Sequence, residues 1–196
     1  MKGHEYPRRL LADMLEVQVP IQLDAIRNAT GEEVPWPPDP KSYLLADELP
    51  MKEEKYPSVL VTSSSASVNS NIQAGLGEFI YEYTLTVGCA VVADRHGGET
   101  KSSLGRDRIL LAIRESLLLN AQLADDCFAV VRALSEETGA AIENLQSKAM
   151  SLGNITFAVR VVEELADPIL NTDGDPAVIT THSESVTAVD ATDDLP

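Results

Sequence analysis

The sequence predicts an α+β fold: a largely antiparallel sheet with helices packed on one face, followed by an extended acidic C-terminal tail. Three observations predict it. Apolar residues alternate with small or polar ones along Phe79–Ala93, the period of a half-buried strand. Apolar residues recur at helical spacing over residues 7–29 and Leu104–Leu119. From Asp167 to the C-terminus there are many carboxylates and neither Lys nor Arg. The expected organisation is one domain over residues 1–166 and a flexible tail over 167–196, too polar to offset its ordering entropy.

At the N-terminus, Leu10, Leu11, Met14, Leu15 and Val17 give a helical stripe. Pro20 lacks a donor and clashes with the preceding turn, so a break is expected near Val17–Val19. A second short helix then carries Ile21, Ala25 and Ile26 and stops at Gly31. Residues 32–56 are a Pro-rich connector. Four of the seven residues Val34–Pro40 are proline, which suits a rigid extended spacer or, less simply, a polyproline recognition segment. Trp36, the only tryptophan, is expected to pack on a neighbouring surface.

A strand is expected over Pro57–Thr62, then a long polar loop from Ser63 to Gly77. The long strand Phe79–Ala93 turns at Gly97-Gly98 into the helix Leu104–Leu119, with Ser102 or Ser103 as its cap. Ile109, Ala112, Ile113, Ser116 and Leu117 should face the sheet, and Arg106, Arg108 and Arg114 the other surface. Strands follow at Cys127–Leu134 and Asn154–Glu164, where Ile155, Phe157, Val159 and Val161 alternate. Between them, Ser135–Ser151 reads either as a helix over Ala140–Met150 or as a short strand with loops.

Charge and motif content narrow the function. A net charge of −16 opposes contact with nucleic-acid phosphates or an anionic membrane. The longest apolar runs, such as Ile109–Ile113, are too short to cross a bilayer, and the first residues carry no secretory core. Cys89 and Cys127 read as buried free thiols. His4, His96 and His182 have no ligand spacing, so no metal site is expected. Asn171–Asp175 hints at a calcium loop, but its glycine comes too early and no bidentate Glu follows. The serines of Ser63–Ser67 lack a nucleophile elbow, and Gly75-x-Gly77 precedes a strand, not a helix. No catalytic residue and no cofactor are expected, and the chain reads as a non-enzyme.

The segments Tyr56–Thr62, Tyr81–Gly88, Arg106–Leu118 and Ile155–Val161 together resemble tail-terminator or head–tail joining (neck) proteins of long-tailed bacteriophages. The resemblance spans residues 8–166 and rests on a pattern, with no invariant catalytic motif. It implies an α+β subunit of a ring, six-membered, at the head-proximal end of the tail tube. Its partners would be other copies of itself, the tail tube protein and the head–tail connector or stopper. DNA would pass through the lumen without specific binding. The location would be the head–tail junction of the virion, with assembly in the host cytoplasm. A closed ring needs two different complementary surfaces on each chain. Candidate interface residues are Ser64, Ser65, Asn69 and Asn71 in the polar loop, Trp36 in the connector, Arg106 and Arg108 on the helix, and Asp173 and Asp175 in the tail. Other neck components (head-completion, stopper or tail-completion proteins) share these features. A small acidic module that binds a basic protein is the competing class, and an enzyme the least favoured.

Overall fold

The computed structural model describes residues 2–31, 36–45, 53–68, 78–94, 98–139, 142–145 and 148–164. Among them, two helices, α1 (Glu5–Thr30) and α2 (Gly98–Leu119), accompany a seven-stranded sheet. The strands are β1 (Ser42–Leu44), β2 (Ser58–Val68), β3 (Glu78–Asp94), β4 (Gln122–Ala124), β5 (Cys127–Thr138), β6 (Ile142–Leu145) and β7 (Lys148–Glu164). Their order is β1-β2-β3-β7-β5-β4, with β6 added to β7. Only the β1–β2 pair is parallel. The predicted α+β class and its largely antiparallel sheet therefore hold.

The spine is β3 with β7. Their 17-residue ladder runs without interruption from Glu78 opposite Glu164 to Asp94 opposite Lys148. At the usual rise this is about 55 Å of strand, far beyond the ordinary length. Alternation puts Leu85, Val87, Cys89 and Val91 of β3 beside Ile155, Phe157, Val159 and Val161 of β7 on one face. That face closes on Leu11, Leu15, Val19 and Leu23 of α1 and on Ile109, Leu110, Ile113 and Leu117 of α2. Each such side chain contributes about 1.5–3 kcal/mol by leaving water. The approach is close at Gly153, where an added Cβ would lie 2.6 Å from Leu110 Cδ1.

The expected break at Pro20 does not occur; α1 is a single helix of 26 residues. Its buried stripe Leu11, Leu15, Val19, Leu23 continues through the proline, so packing on both sides holds the axis. The Glu16 carbonyl loses its helical donor, and Glu16 lies in an exposed position where water can replace it. Val17 and Ile21, which the helical spacing groups with the other apolar residues, are 60% and 55% exposed. Gly31 ends the helix in the left-handed conformation, φ 64°, as its position predicted. Because Pro20 is only tolerated here, Pro20→Ala is expected to raise stability by about 1–3 kcal/mol, read as a higher urea midpoint. A lowered midpoint would mean that the half-buried ring packs better than a regular turn.

Three further expectations are corrected, and one left open between two readings is decided. Ser63–Val68 is the second half of β2, with a register shift between Ser63 and Ser65, where the sequence predicts loop. The helix α2 starts at Gly98, so Ser102 and Ser103 are interior, and Ser102 Oγ meets Ser151 Oγ at 2.9 Å. Of the two readings of Ser135–Ser151 the strand reading holds: β5 extends to Thr138, and β6 and the start of β7 follow. Arg108 lies in the interior, not on the outer surface of α2.

Candidate functional site

The sequence-predicted interface residues fall into two separate places, and several lie outside the described residues. Asn69, Asn71, Asp173 and Asp175 are among the latter. Trp36 and Arg108 come together within the chain. Trp36 lies half-buried against α2, with its indole Nε1 donating to the Lys101 carbonyl at 2.8 Å. Its ring passes so close to Gly105 that an added Cβ there would sit 3.0 Å from Nε1. Arg108, 8% exposed, donates from Nη1 to the Trp36 carbonyl. A charged side chain enters the interior only when partnered, and here it fastens the connector onto α2. Arg106 donates to the Gly139 carbonyl at 2.8 Å and pairs with Asp107, tying α2 to the end of β5. These contacts are internal, and helical spacing alone could not distinguish them from a surface stripe.

Ser64 and Ser65 lie elsewhere, on the exposed half of β2. Ser65 Oγ donates to Thr84 Oγ1 at 3.0 Å. This begins a row of short polar side chains across the sheet face that carries no helix. Thr86 Oγ1 meets Thr156 Oγ1 at 3.0 Å, and Arg160 Nε donates to Glu82 Oε2 at 2.9 Å. A hollow of about 380 Å³ lies lower on this face, walled by Leu60, Thr86, Leu152 and Asn154 with Glu137–Gly139 at its rim. The sheet thus has a dry face under the helices and an opposite face that is polar where its hydroxyls bond to one another and apolar lower down, where Tyr56, Ala90 and Met150 are buried with Val92 and Leu152 against them.

At the other end of the dry face, the start of α1 is clamped to the sheet. His4 Nδ1 lies 2.6 Å from Ser63 Oγ, and the His4 ring stands edge-on to Tyr83, 5.2 Å between centroids. Tyr83 donates its hydroxyl to Glu163 at 2.8 Å; burial first, then this bond, pushes its ionisation well above the usual range. Tyr6 donates to Asp126 in the turn between β4 and β5 at 2.7 Å, and Arg8 to the Val61 carbonyl on β2. These pairings hold elements in place. Among the described residues no group of three or more His, Cys, Asp or Glu side chains is arranged to hold a metal ion.

Cys89 and Cys127 are free and buried. Burial pushes the Cys89 thiol up to about 12 and the Cys127 thiol up to about 11, with Lys2 pulling Cys127 back slightly. Since the thiolate is the reactive form, iodoacetamide at pH 8 is expected to leave both unmodified in the native chain and to alkylate both in guanidinium. Rapid native alkylation, read by mass spectrometry, would contradict the packing around the two strands.

Among the described residues no helix is long and apolar enough to cross a membrane. No protein-family model and no curated protein sequence matches the chain.

Proposed function

We propose that this chain is a structural, non-enzymatic subunit that forms a ring in the neck of a tailed bacteriophage, terminating the tail tube and joining it to the head connector. The observation that carries the reading is the shape of the sheet. Its β3–β7 spine has one face sealed by two helices, while the other carries short polar side chains bonded to each other in its upper half and a small apolar cluster of Tyr56, Ala90 and Met150 below. Such a slab suits side-by-side assembly better than it suits a reaction, which requires convergent groups in a pocket. The resemblance of Tyr56–Thr62, Tyr81–Gly88, Arg106–Leu118 and Ile155–Val161 to tail-terminator and neck proteins gives the assembly its place.

In this reading the partners are further copies of the chain, the tail tube protein and the connector or stopper, and the ring sits at the head–tail junction of the virion. The net charge of −16 lets DNA slide through the lumen, because no counterion release rewards sticking. Two measurements test the proposal together: light scattering with negative-stain imaging of the purified chain, and immunogold labelling of virions. Closed rings of about six copies and label at the head–tail junction are expected. A strictly single-copy chain that no virion contains would sink it. Label elsewhere in the neck would assign the chain to a neighbouring head-completion or tail-completion role.

A further inference from the structure

Among the described residues both edges of the sheet are only partly covered. On one side β1 pairs with Ser58–Leu60 and goes no further along β2. On the other, β4 and Ala121 engage β5 as far as Ala129. Past these points neither strand has a strand neighbour on its outer side among the described residues. Soluble proteins guard such edges with charges, prolines or bulges. At the start of this edge Arg8 and His4 of the N-terminal segment engage the Val61 carbonyl and Ser63, but Ser64–Val68 beyond them has no charged residue and no proline, in a chain of net charge −16, and begins at the irregularity between Ser63 and Ser65. Ser64–Val68 is exposed throughout, Val68 at 49%, and Phe79 at the start of β3 is 39% exposed.

Strand direction identifies what fits this edge. Each of the steps β2–β3, β3–β7 and β7–β5 is antiparallel, so β2 and β5 run in opposite senses. A copy related by rotation about an axis along the strands keeps those senses. Its β5 then meets β2 in the antiparallel arrangement, with straight hydrogen bonds. The side chains match as well. Ser65 and Ser67 lie opposite Thr84 and Glu82, and Ser135 and Glu137 opposite Thr156 and Asn154, all on the helix-free face. Serine hydroxyls from one copy would donate to the Glu137 carboxylate of the next. Glu137 shares a row with Leu60 through Asn154 and Gly88, so the match needs a slide of about five residues, the kind of stagger that closing a tilted sheet imposes.

We propose that the open edge of β2, Ser64–Val68, takes the Ser135–Thr138 edge of β5 from a second copy of this chain, continuing the sheet from subunit to subunit. The proposal rests on the ring reading and supplies its two complementary surfaces. A β2-to-β2 contact would close at two copies and leave both β5 edges open.

The test is a charge pair placed across the joint, with mass read by sedimentation and folding by thermal melt. Ser65→Glu with Ser67→Glu sets carboxylates against Glu137 and is expected to reduce the wild-type ring to single copies, raising the concentration for half-assembly at least about tenfold, while the dissociated subunit still melts cooperatively and only slightly lower, the cost of a carboxylate at position 67 opposite Glu82. Adding Ser135→Lys and Glu137→Lys to the same chain is expected to restore the ring. In the wild-type ring, amides 64–68 and 135–138 should exchange more slowly than in diluted single copies. A double-Glu variant that keeps the wild-type mass overturns the inference and leaves the ring reading standing. So does a four-site variant that stays single-copy beside a wild-type ring. A wild-type chain that is single-copy at every concentration overturns both.

Discussion

Replacing Val87 with Asp is expected to abolish cooperative folding. Val87 is fully buried at the middle of the dry face, with Val61 opposite on β2 and Ile155 opposite on β7, both also in the core. A carboxylate at this site has apolar side chains on both flanks. Keeping it charged costs several kcal/mol, and protonating it still leaves an unpaired polar group and loses the burial of valine. Against a total stability of about 5–15 kcal/mol, either outcome removes most of the margin. The next residue is the control. Thr86 points to the opposite face, where its hydroxyl meets Thr156, so Thr86→Asp should cost only about 1–2 kcal/mol. Circular dichroism melts of the two variants check the assignment. A Val87→Asp chain that melts like the wild type would place this residue on the wet face.

Val87 was assignable because β3 reports its own environment: alternation is written in neighbouring residues and survives any partner. The errors came where a distant element decides. Pro20 is a helix breaker by local chemistry, yet Leu15, Val19 and Leu23 are held in one core, and the helix stays continuous. The serines at Ser63–Ser67 have turn-like composition, but β3 supplies a ladder from Leu85 to Glu82 on which they lie as strand. Lys148–Gly153 reads ambiguously between helix and strand for a related reason. Ser151 and Gly153 are small because α2 approaches there, with Ser102 bonded to Ser151 and Leu110 above Gly153.

The same limit applied to the candidate site. Ser64 and Ser65 have the composition of a polar loop and lie on an exposed strand edge, a place that only pairing reveals. Arg106 and Arg108 look like surface cations in the sequence because charge at helical spacing resembles a solvated stripe. The Trp36 and Gly139 carbonyls that draw them in belong to other parts of the chain. Ser135 and Glu137, on the opposite edge, carry no sequence signal at all; a short run of polar residues acquires a role only when β7 fixes which way it faces.

Phe157→Ala is expected to be the most damaging truncation of a single core side chain, and its consequences should reach the sheet edge. Phe157 is the largest of the fully buried side chains and lies opposite Leu85 of β3. On its other side the ladder is irregular. Val130 pairs with Ala158 and Ser135 with Thr156, so the four residues 131–134 of β5 span the position of Phe157 alone. Removing the ring loses its transfer energy and leaves a cavity, together about 3–5 kcal/mol. For a chain of this size that lowers the melting temperature by about 6–20 °C. Bulges re-aim the strand that follows them, and here that strand is Ser135–Thr138. A cavity into which residues 131–134 can relax would swing this segment away from its antiparallel register. Assembly should therefore weaken at temperatures where the subunit is still folded, with Phe157→Leu losing much less of both. Sedimentation set beside the thermal melt separates the two effects. Equal losses of melting temperature and assembly in the Ala and Leu variants would show that the bulge does not depend on the ring beneath it.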